Sequence, residues 1–473
     1  MSFDSYMYVA FLAAVLLLHR LLPWRLGRLM LLVASYVFYG AGNPWHCLLL
    51  LISTVVDYNV ARRIERSGSE GSRKLLLASS LVINLGLLAS FKYGPFVVSN
   101  LNVLLGWLQV PSLPVPGWAL PLGISFYTFQ TLSYTVDVYY GKERASRDFA
   151  GFALYVSFFP QLVAGPIERY SRLMPQLAEK RPASAEDMQA GFQRVLWGLT
   201  KKMVLADRLG LFVDGVYAAP AEASSPALIV ATTSFALQIY MDFSGYCDIA
   251  IGTARMLGIN LTENFRWPML ARNPIEFWSR WHITLGTWFR DYLLTALISR
   301  RERPPAWRRL LNLSIVMILM GLWHGPGWNF ILLGVGAGVG VALYEAVYMI
   351  SGRPRSKPLF GTSLLATVAA VGMTNLHIVL LALLFRSPSV GHALEVAKGM
   401  VRGSWQMDPS VHVYGAAVLL IWAGCIARGI FHRDGRRELS MPAPLRALMW
   451  MGLLLLILYG SPDTTQQFIY FQF

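Results

Sequence analysis

Apolar runs long enough to be membrane-spanning helices recur along the whole chain. An α-helix needs about 20 mostly apolar residues to cross the hydrocarbon core of a bilayer. The predicted spans are residues 4–19, 27–42, 44–61, 75–91, 119–139, 190–215, 226–256, 310–324, 328–350, 360–385, 411–431 and 445–460. No long polar block separates these runs, so the pattern predicts an all-α polytopic membrane protein with short loops.

The composition agrees with this pattern. The chain has 473 residues, of which 55% are hydrophobic and 14% are charged, whereas about 25% of the residues of a soluble domain are charged. Asp4, rather than a basic stretch, precedes the first apolar run. We therefore expect that run to remain as the first span and not to be a cleaved signal peptide.

The positive charge is distributed as in the loops of membrane proteins. The net charge of +15 would suit nucleic acid, but Lys and Arg occur in short clusters between the apolar runs. The positive-inside rule describes cytoplasmic loops in this way. Examples are Arg62/Arg63/Arg66, Arg300/Arg301/Arg303 and Arg433/Arg436/Arg437. We therefore expect anionic membrane lipid, and not nucleic acid, as a partner.

The middle of the chain differs from its two ends. From about residue 149 to residue 300, Pro, Gly and charged residues interrupt the apolar runs, as at Lys201-Lys202 and Asp242. Lipid cannot satisfy the polar groups of a broken backbone, so such a stretch must be buried in protein or line a wet cavity. We expect re-entrant or tilted helices around a cavity here, and the functional site with them.

One candidate segment combines charged residues with three tryptophans. Asn273 and Pro274 predict the start of a helix, with Asn273 as its cap and Pro274 in its first turn. On this helix Glu276 and Arg280 are spaced to form an ion pair. Tryptophan is typical of the membrane interface, so the helix is predicted to be interfacial or re-entrant, with His282 facing inward. A structural role for His282 stays open, because it is the commoner role of a lone histidine.

A second candidate segment, residues 321–329, lies between two apolar runs. Its glycines and Pro326 prevent a continuous helix, so His324 is expected at a helix break. An imidazole, with a pKa near about 6.5, suits the removal of a proton from a hydroxyl group. The residues alone leave a catalytic and a structural His324 equally open.

Three acidic residues lie in or beside predicted spans: Asp57, Asp242 and Asp248. Intramembrane acids are candidates for function, but each of these is also explained as a structural partner of an arginine or of the backbone. The three cysteines are widely spaced and form no CxxC or Cys/His pattern, so neither a disulfide nor a zinc site is predicted. The absence of G-x-S-x-G, P-loop and H-E-x-x-H motifs disfavours a serine hydrolase, an ATP-driven pump and a zinc protease.

Motifs in both candidate segments resemble those of the membrane-bound O-acyltransferase (MBOAT) superfamily. FWSRWHITL at 277–285 resembles the FWRRWHISLS motif of bacterial members, and GLWHG at 321–325 resembles the motif that carries their catalytic histidine. Further matches are LPLGISFY at 120–127, FPQLVAGP at 159–166, LQIYMDFSGY at 237–246, ENF at 263–265 and FIYFQF at 468–473. The matches run in order over nearly the whole chain. Within the superfamily, the sequence most resembles the polysaccharide branch, whose members are similar to alginate O-acetylation proteins.

The resemblance implies the MBOAT fold, with roughly 11 transmembrane helices plus re-entrant helices around a central funnel or tunnel. A single integral membrane domain would fill residues 1–473. Within it the resemblance implies peripheral helices at 1–118, a catalytic core at about 119–350 and further helices at 351–473. The expected location is the bacterial inner (plasma) membrane.

The resemblance also implies an O-acyltransferase. It would move an acyl group, expected to be acetyl, from a cytosolic thioester towards an extracytoplasmic polysaccharide such as alginate. Acetyl-CoA or another acyl thioester would be the donor substrate, and a periplasmic acetyltransferase of the SGNH type would complete the transfer. No permanently bound cofactor and no metal are expected, because a thioester is already activated.

The same resemblance assigns roles to single residues. His324 would act as general base, and His282 would orient the donor or relay a proton. The expected substrate-binding residues are Arg280, Trp323, Asn329 and Asp242. The chain departs from the family pattern at Ser279, Met241 and Gly286, which stand where Arg, Phe and Ser are usual. None of these departures alters a histidine, so we expect activity and leave the identity of the substrate open.

Three alternatives remain at this stage. A lipid or polysaccharide transporter would be favoured by inverted internal repeats, and none is visible in the sequence. A D-alanyl-type teichoic acid acyltransferase would use the same motifs with another donor. A membrane scaffold of a secretion complex would tolerate the loss of both histidines.

Overall fold

All regular secondary structure in the part of the chain that the structure describes is helical. A computed structural model describes residues 1–179, 181–298, 305–352, 359, 361–431, 442–462 and 466–471. The helices are Tyr6–Leu21, Trp24–Gly40, His46–Arg66, Glu70–Leu88, Gly94–Trp107, Ile124–Tyr139, Phe149–Ser157, Tyr170–Ala178, Ala185–Leu199, Asp207–Ala218, Ser225–Met256, Pro274–Arg280, Ile283–Trp288, Thr295–Leu297, Ala306–His324, Trp328–Ser351, Leu364–Arg386, Val390–Arg402, Pro409–Phe431 and Ala443–Gly460. Wider π-helical turns lie at Ala89–Tyr93, Thr200–Ala206 and Phe289–Leu294, and short 3-10 turns at Pro268–Leu270 and Ile469–Phe471.

Six helices in the described ranges are long and apolar enough to cross a membrane. They are Glu70–Trp107, Ser225–Met256, Trp328–Ser351, Leu364–Arg386, Pro409–Gly429 and Ala443–Gly460. Every predicted span overlaps helical residues, which confirms the all-α polytopic prediction, while the number of 11 spans stays a prediction. The span predicted at 190–215 is two helices, Ala185–Leu199 and Asp207–Ala218, joined by a π-helical turn. The basic clusters predicted at 300–303 and 433–437 lie outside the described residues. The chain is a multi-pass membrane protein.

The apolar helices differ sharply in how much of their surface the protein covers. In the most apolar window of Ser225–Met256, 83% of the residues are buried inside the protein, against 6% for Ala443–Gly460. Lipid can solvate an exposed apolar side chain but not a charged one, so polar residues are tolerated where protein surrounds them. This explains why Ser225–Met256 is able to carry the buried side chains of Gln238 and Asp242.

The chain divides into two compact units. One consists of Met1–Gly198 with Tyr246–Thr262, and the other of Leu199–Gly245 with Glu263–Phe473. All six residues predicted to form the site lie within the ranges of the second unit. The predicted division of a single domain near residues 118 and 350 stays a prediction.

Two of the three intramembrane acids lie in the first unit, where both have structural partners. The Asp57 carboxylate accepts hydrogen bonds from the Ser80 hydroxyl and, at 3.0 Å, from the Asn84 amide. Asp248 forms an ion pair with Arg194 at 3.0 Å. These contacts join neighbouring helices, as expected for polar residues that are buried between helices in a membrane.

In the second unit, helices Ala306–His324 and Trp328–Ser351 pack backbone against backbone. A Cβ atom added to Gly334 would lie 2.6 Å from the Ile318 Cα, and one added to Gly321 would lie 2.4 Å from the Phe330 carbonyl oxygen. Small residues permit such close approach of two helices in a membrane. The hairpin that these glycines allow carries His324 at its tip.

Replacing Gly334 with alanine should therefore destabilise the hairpin. The added methyl group must push the helices apart, and overpacking of this kind typically costs about 1–3 kcal/mol. The measurement is the apparent Tm of the purified protein in detergent. Gly372→Ala is the matched control, because no heavy atom lies within 4 Å of a Cβ added there. Equal Tm values for the two variants would contradict the close packing.

Candidate active site

The segment that carries His282 is broken at the histidine itself. Asn273 caps the first helix, Pro274–Arg280, by accepting a hydrogen bond from the Glu276 main-chain N–H at 2.8 Å, as the sequence predicts. That helix ends before His282, whose φ of +43° lies in the left-handed region, and a second helix follows. The expectation of one continuous helix through this histidine is therefore wrong. A left-handed conformation is uncommon for a residue with a side chain and persists only where its surroundings hold it in place.

Asn264 stabilises this break. Its side-chain oxygen accepts hydrogen bonds from the main-chain N–H and the hydroxyl of Thr284, both at 3.0 Å. Its main-chain oxygen accepts from the Ile283 N–H at 3.0 Å. The three hydrogen bonds that Asn264 accepts thus hold the turn that follows His282. Sequence reasoning quoted Asn264 only as part of a motif and assigned it no role.

Asn264 also fixes the protonation of the His282 ring. Nδ1 of His282 lies 3.3 Å from the same Asn264 oxygen, which acts only as an acceptor. His282 lies outside the membrane-spanning helices, and its burial lowers the pKa of the imidazole well below the ordinary value, with a further lowering by the nearby His324. The imidazole is therefore neutral near neutral pH, with its proton on Nδ1 and its basic lone pair on Nε2.

His324 lies at a helix break, as the sequence predicts. It is the last residue of Ala306–His324, and Gly325 after it is extended. A Cβ added to Gly325 would lie 2.2 Å from the Phe330 ring, so a side chain at this turn would have to displace that ring. The His324 side chain is buried, with the ring centroid of Phe385 at 5.2 Å.

Two aromatic rings bring the histidines together. Trp323 has its ring centroid 5.7 Å from that of His282 and 5.1 Å from that of His324. Tyr470 lies at 6.2 Å from His282 and 5.8 Å from His324. The structure thus groups both predicted histidines and the predicted Trp323 with a tyrosine that sequence reasoning did not single out. The signals for Tyr470 were its place in an aromatic run after the last predicted span and in the FIYFQF motif at 468–473.

Tyr470 belongs to a short stretch, residues 466–471, that lies inside the second unit. Phe468 and Ile469 are buried there. The Tyr470 ring packs at 4.1 Å from the ring of Phe243, which itself contacts His282 at 4.7 Å. We refer to residues 466–471 as the aromatic segment.

Asp242 contacts the aromatic segment. Its carboxylate accepts a hydrogen bond from the Ile469 main-chain N–H at 2.7 Å and forms an ion pair with Lys202 at 2.9 Å. Lys202 is also paired with Asp207 at 2.7 Å. The substrate-binding role that the sequence predicted for Asp242 stays a prediction. The contacts described above link Asp242 to the aromatic segment and to Lys202.

Arg280 and Asn329, also predicted to bind substrate, have protein partners. Arg280 pairs with Glu276, as predicted, and donates to the Trp267 carbonyl at 3.4 Å. Asn329 is buried, and its amide donates to the carbonyl oxygens at the end of the neighbouring helix, 2.8 Å to that of Ser387. For both residues a role towards substrate stays a prediction.

An apolar cavity opens beside His324. Its empty volume, including open solvent, is about 480 Å³, and its walls are mainly aromatic and aliphatic side chains, with Trp281 and Phe385 among them. His324 and Tyr470 supply its titratable groups. A small acyl group bound there would lie against apolar walls and next to the His324 imidazole.

Comparison with known proteins identifies the family. The family model described as "MBOAT, membrane-bound O-acyltransferase family" matches residues 31–371. The chain belongs to this family. It is an O-acyltransferase, and both histidine segments lie inside the matched range.

Individual relatives support the assignment. The chain is 37% identical over 361 residues to the "Probable alginate O-acetylase AlgI" of Azotobacter vinelandii, a match that covers 76% of this chain and 72% of the relative. It is 34% identical over 400 residues to the "Peptidoglycan O-acetyltransferase" of Helicobacter pylori, covering 79% and 73%. The "Teichoic acid D-alanyltransferase" of Bacillus subtilis is 27% identical over 237 residues, covering 48% and 58%.

The candidate active site of this O-acyltransferase contains two imidazoles in different chemical environments. His282 is held in one tautomer by Asn264, whereas His324 lines the cavity. General base catalysis requires an unprotonated nitrogen within reach of the substrate hydroxyl. A general-base role for His282 would therefore require its neutral state, because an imidazolium has no free lone pair to accept that proton.

Changing Asn264 to aspartate should move the pH dependence of the O-acyltransferase. A carboxylate beside Nδ1 stabilises the imidazolium and raises the pKa of His282. The ring then stays protonated to higher pH, so the acidic limb of the pH–rate profile should shift to higher pH. His324 and Tyr470 also face His282, and neither is altered by this change. The measurement is the initial rate of acyl transfer in proteoliposomes as a function of pH.

Thr284→Val is the control for this prediction. It removes the hydroxyl that donates to Asn264 without adding charge, so it should lower the rate and leave the pH profile in place. An unshifted profile for Asn264→Asp would show that the protonation of His282 does not limit the reaction.

Proposed function

We propose that this chain acts in a bacterial inner membrane and transfers an acetyl group from a cytosolic thioester towards an extracytoplasmic polysaccharide. The observation that carries the proposal is the position of His324. This histidine ends a helix, lines an apolar cavity and lies against Trp323 and Tyr470, which also contact His282. The cavity provides room for a small acyl group beside a base.

The names of the relatives support the substrate class. Two relatives that match most of this chain are named for O-acetylation, one of alginate and one of peptidoglycan. Both acceptors are carbohydrate polymers with free hydroxyl groups. The relative named for D-alanyl transfer matches under half of this chain and is less similar, so we favour acetyl over D-alanyl as the transferred group.

The proposed reaction needs one base and an activated donor. His324 takes the proton from the accepting hydroxyl as its oxygen attacks the thioester carbonyl carbon. The C–O bond forms, the C–S bond breaks, and the leaving thiolate takes the proton from the His324 imidazolium. The donor becomes a free thiol, the acceptor becomes an ester, and His324 returns to its neutral state.

The surroundings of the histidines support these steps. The walls of the cavity are mostly apolar, which disfavours entry of the water that would hydrolyse the thioester. A low-polarity site also strengthens the electrostatic interactions inside it. His282, with Nδ1 on Asn264, presents Nε2 to orient the donor or to relay a proton.

The proposal extends to partners on both sides of the membrane. Acetyl-CoA or another acyl thioester is the proposed donor. A periplasmic acetyltransferase of the SGNH type is the proposed recipient that completes transfer to the polymer. The scaffold alternative predicts that both histidines are dispensable for acylation, so substitution of His324 separates a catalytic protein from a scaffold.

His324→Ala should abolish acyl transfer and leave a folded protein in the membrane. Loss of a general base typically lowers a rate by about 10² to 10⁴. His324→Gln should fail nearly as badly, because an amide can hydrogen-bond but cannot take the proton. The measurement is O-acetylation of the cell-envelope polymer in cells that carry each variant at matched membrane abundance.

The matched control is His412→Ala, the same substitution at an exposed histidine on another helix. It should acetylate like the wild type. Wild-type acetylation by either His324 variant would exclude the catalytic role. If instead the His324 variants disappear from the membrane while His412→Ala does not, His324 is structural and His282 becomes the candidate base.

A further inference from the structure

We propose that Lys202, together with Asp242, is a positioning residue that holds the aromatic segment in place, so that Tyr470 forms a fixed wall of the active site beside both histidines. The inference rests on the proposed acyl transfer, since it assigns these residues a task in that reaction. Neither residue is among those that line the cavity beside His324. The argument starts from the cost of burying them.

Lys202 is one of the most deeply buried charged residues in the part of the chain that the structure describes. Its side chain is 1% exposed and lies on the π-helical turn Thr200–Ala206. Burial of an ammonium group is costly unless it is paired and hydrogen-bonded. Asp207 at 2.7 Å and Asp242 at 2.9 Å, each side chain 2% exposed, supply that pairing.

This ion cluster binds the main chain of the aromatic segment at two points. The Lys202 ammonium group donates to the Gln466 carbonyl oxygen at 2.9 Å, and the Asp242 carboxylate accepts from the Ile469 N–H at 2.7 Å. The ammonium group also lies 4.5 Å from the centre of the Phe468 ring, a cation–π contact. Two main-chain bonds three residues apart fix the register of the segment, and Tyr470 follows directly.

A second set of contacts holds the start of the segment. The Gln466 side-chain amide donates to Asp214 at 2.8 Å, and Asp214 also accepts from Arg386 at 2.7 Å. Gly210 leaves the space for Gln466, because a Cβ there would lie 2.4 Å from the glutamine side-chain oxygen. The aromatic segment is thus held through directional polar contacts in addition to its buried apolar side chains.

Directional contacts have a consequence that apolar packing alone would not have. Buried Phe468 and Ile469 could keep the segment attached in several registers, whereas an ion cluster that binds one carbonyl and one N–H selects a single register. Displacement of a reacting group or wall by about 1 Å can lower a rate by about 10²-fold. Removal of Lys202 should therefore free the register and displace Tyr470 from the histidines.

The first experiment measures the position of the segment without any enzymatic readout. In a background with alanine at Cys47, Cys247 and Cys425, cysteine replaces the buried Ile469 or, as a reference, the exposed Gln467. Maleimide labelling of the purified protein should be slow at position 469 and fast at position 467. Adding Lys202→Met should make position 469 as reactive as position 467.

The second experiment measures turnover of an acetyl thioester by the same protein without the cysteine changes. Lys202→Met should lower kcat by about 10²-fold with little change in the KM for the donor. Lys202→Arg, which keeps the charge, should recover part of that loss. Lys201→Met makes the same change at the neighbouring residue and should leave both labelling and kcat unchanged.

The outcomes separate the two proposals. If Lys202→Met keeps position 469 protected from maleimide and has the wild-type kcat, the positioning role is wrong. This conclusion does not depend on the activity of the His324 variants. Exposure of position 469 with unchanged kcat would also overturn it. If Lys202→Met does not fold, the variant Lys202→Met/Asp207→Asn/Asp242→Asn removes the unpaired charges, and full activity in that variant would contradict the inference. Failure of the proposed function would appear instead as wild-type acylation by His324→Ala, with the labelling results unaffected.

Discussion

In a bilayer, a helix that breaks must satisfy its exposed backbone groups within the protein, and both histidines of this site lie at such breaks. At His282 the partner is Asn264, which supplies acceptors to the two residues that follow the histidine. At His324 the break is achieved by glycine, because Gly325 lets the chain turn against Phe330 without a side chain in the way. The same constraint that makes breaks expensive in lipid thus explains why both imidazoles are buried inside the protein, with His324 beside a cavity.

The second unit therefore combines two kinds of support for one site. Close glycine packing between Gly321 and Gly334 fixes the hairpin that carries His324. An ion cluster around Lys202 fixes the aromatic segment that carries Tyr470. The first support is steric and the second is electrostatic, and both act on groups that line the same cavity. Apolar walls with few polar groups are typical of small-molecule sites. Here the titratable groups in the cavity wall are His324 and Tyr470, and each is carried by one of these two supported segments.

The sequence predicted the helices well because their signal is local. Each predicted span, from 4–19 to 445–460, overlaps helical residues, and the break at His324 follows directly from the glycines and Pro326 around it. The helix start at Pro274 was equally local, since an asparagine followed by proline is a capping signal.

The rest of the site depends on contacts between distant parts of the chain. The turn at His282 is held by Asn264, 18 residues away, and no periodicity indicates that contact. Tyr470 lies beside the histidines on a segment whose Gln466 carbonyl accepts a hydrogen bond from Lys202, 264 residues away along the chain. Asp242 was found as an intramembrane acid, but its partners, a lysine and a main-chain N–H, could not be read from its position.

The central claim is that the acyl group is transferred beside His324, in the apolar cavity. The most direct measurement is an experimental structure of the protein in lipid nanodiscs with a thioether analogue of an acetyl thioester, which cannot react. We expect the carbonyl group of the analogue in the cavity between His324 and Tyr470, with its acetyl methyl group against apolar walls such as Phe385. An analogue bound with its carbonyl group away from both histidines would contradict the account.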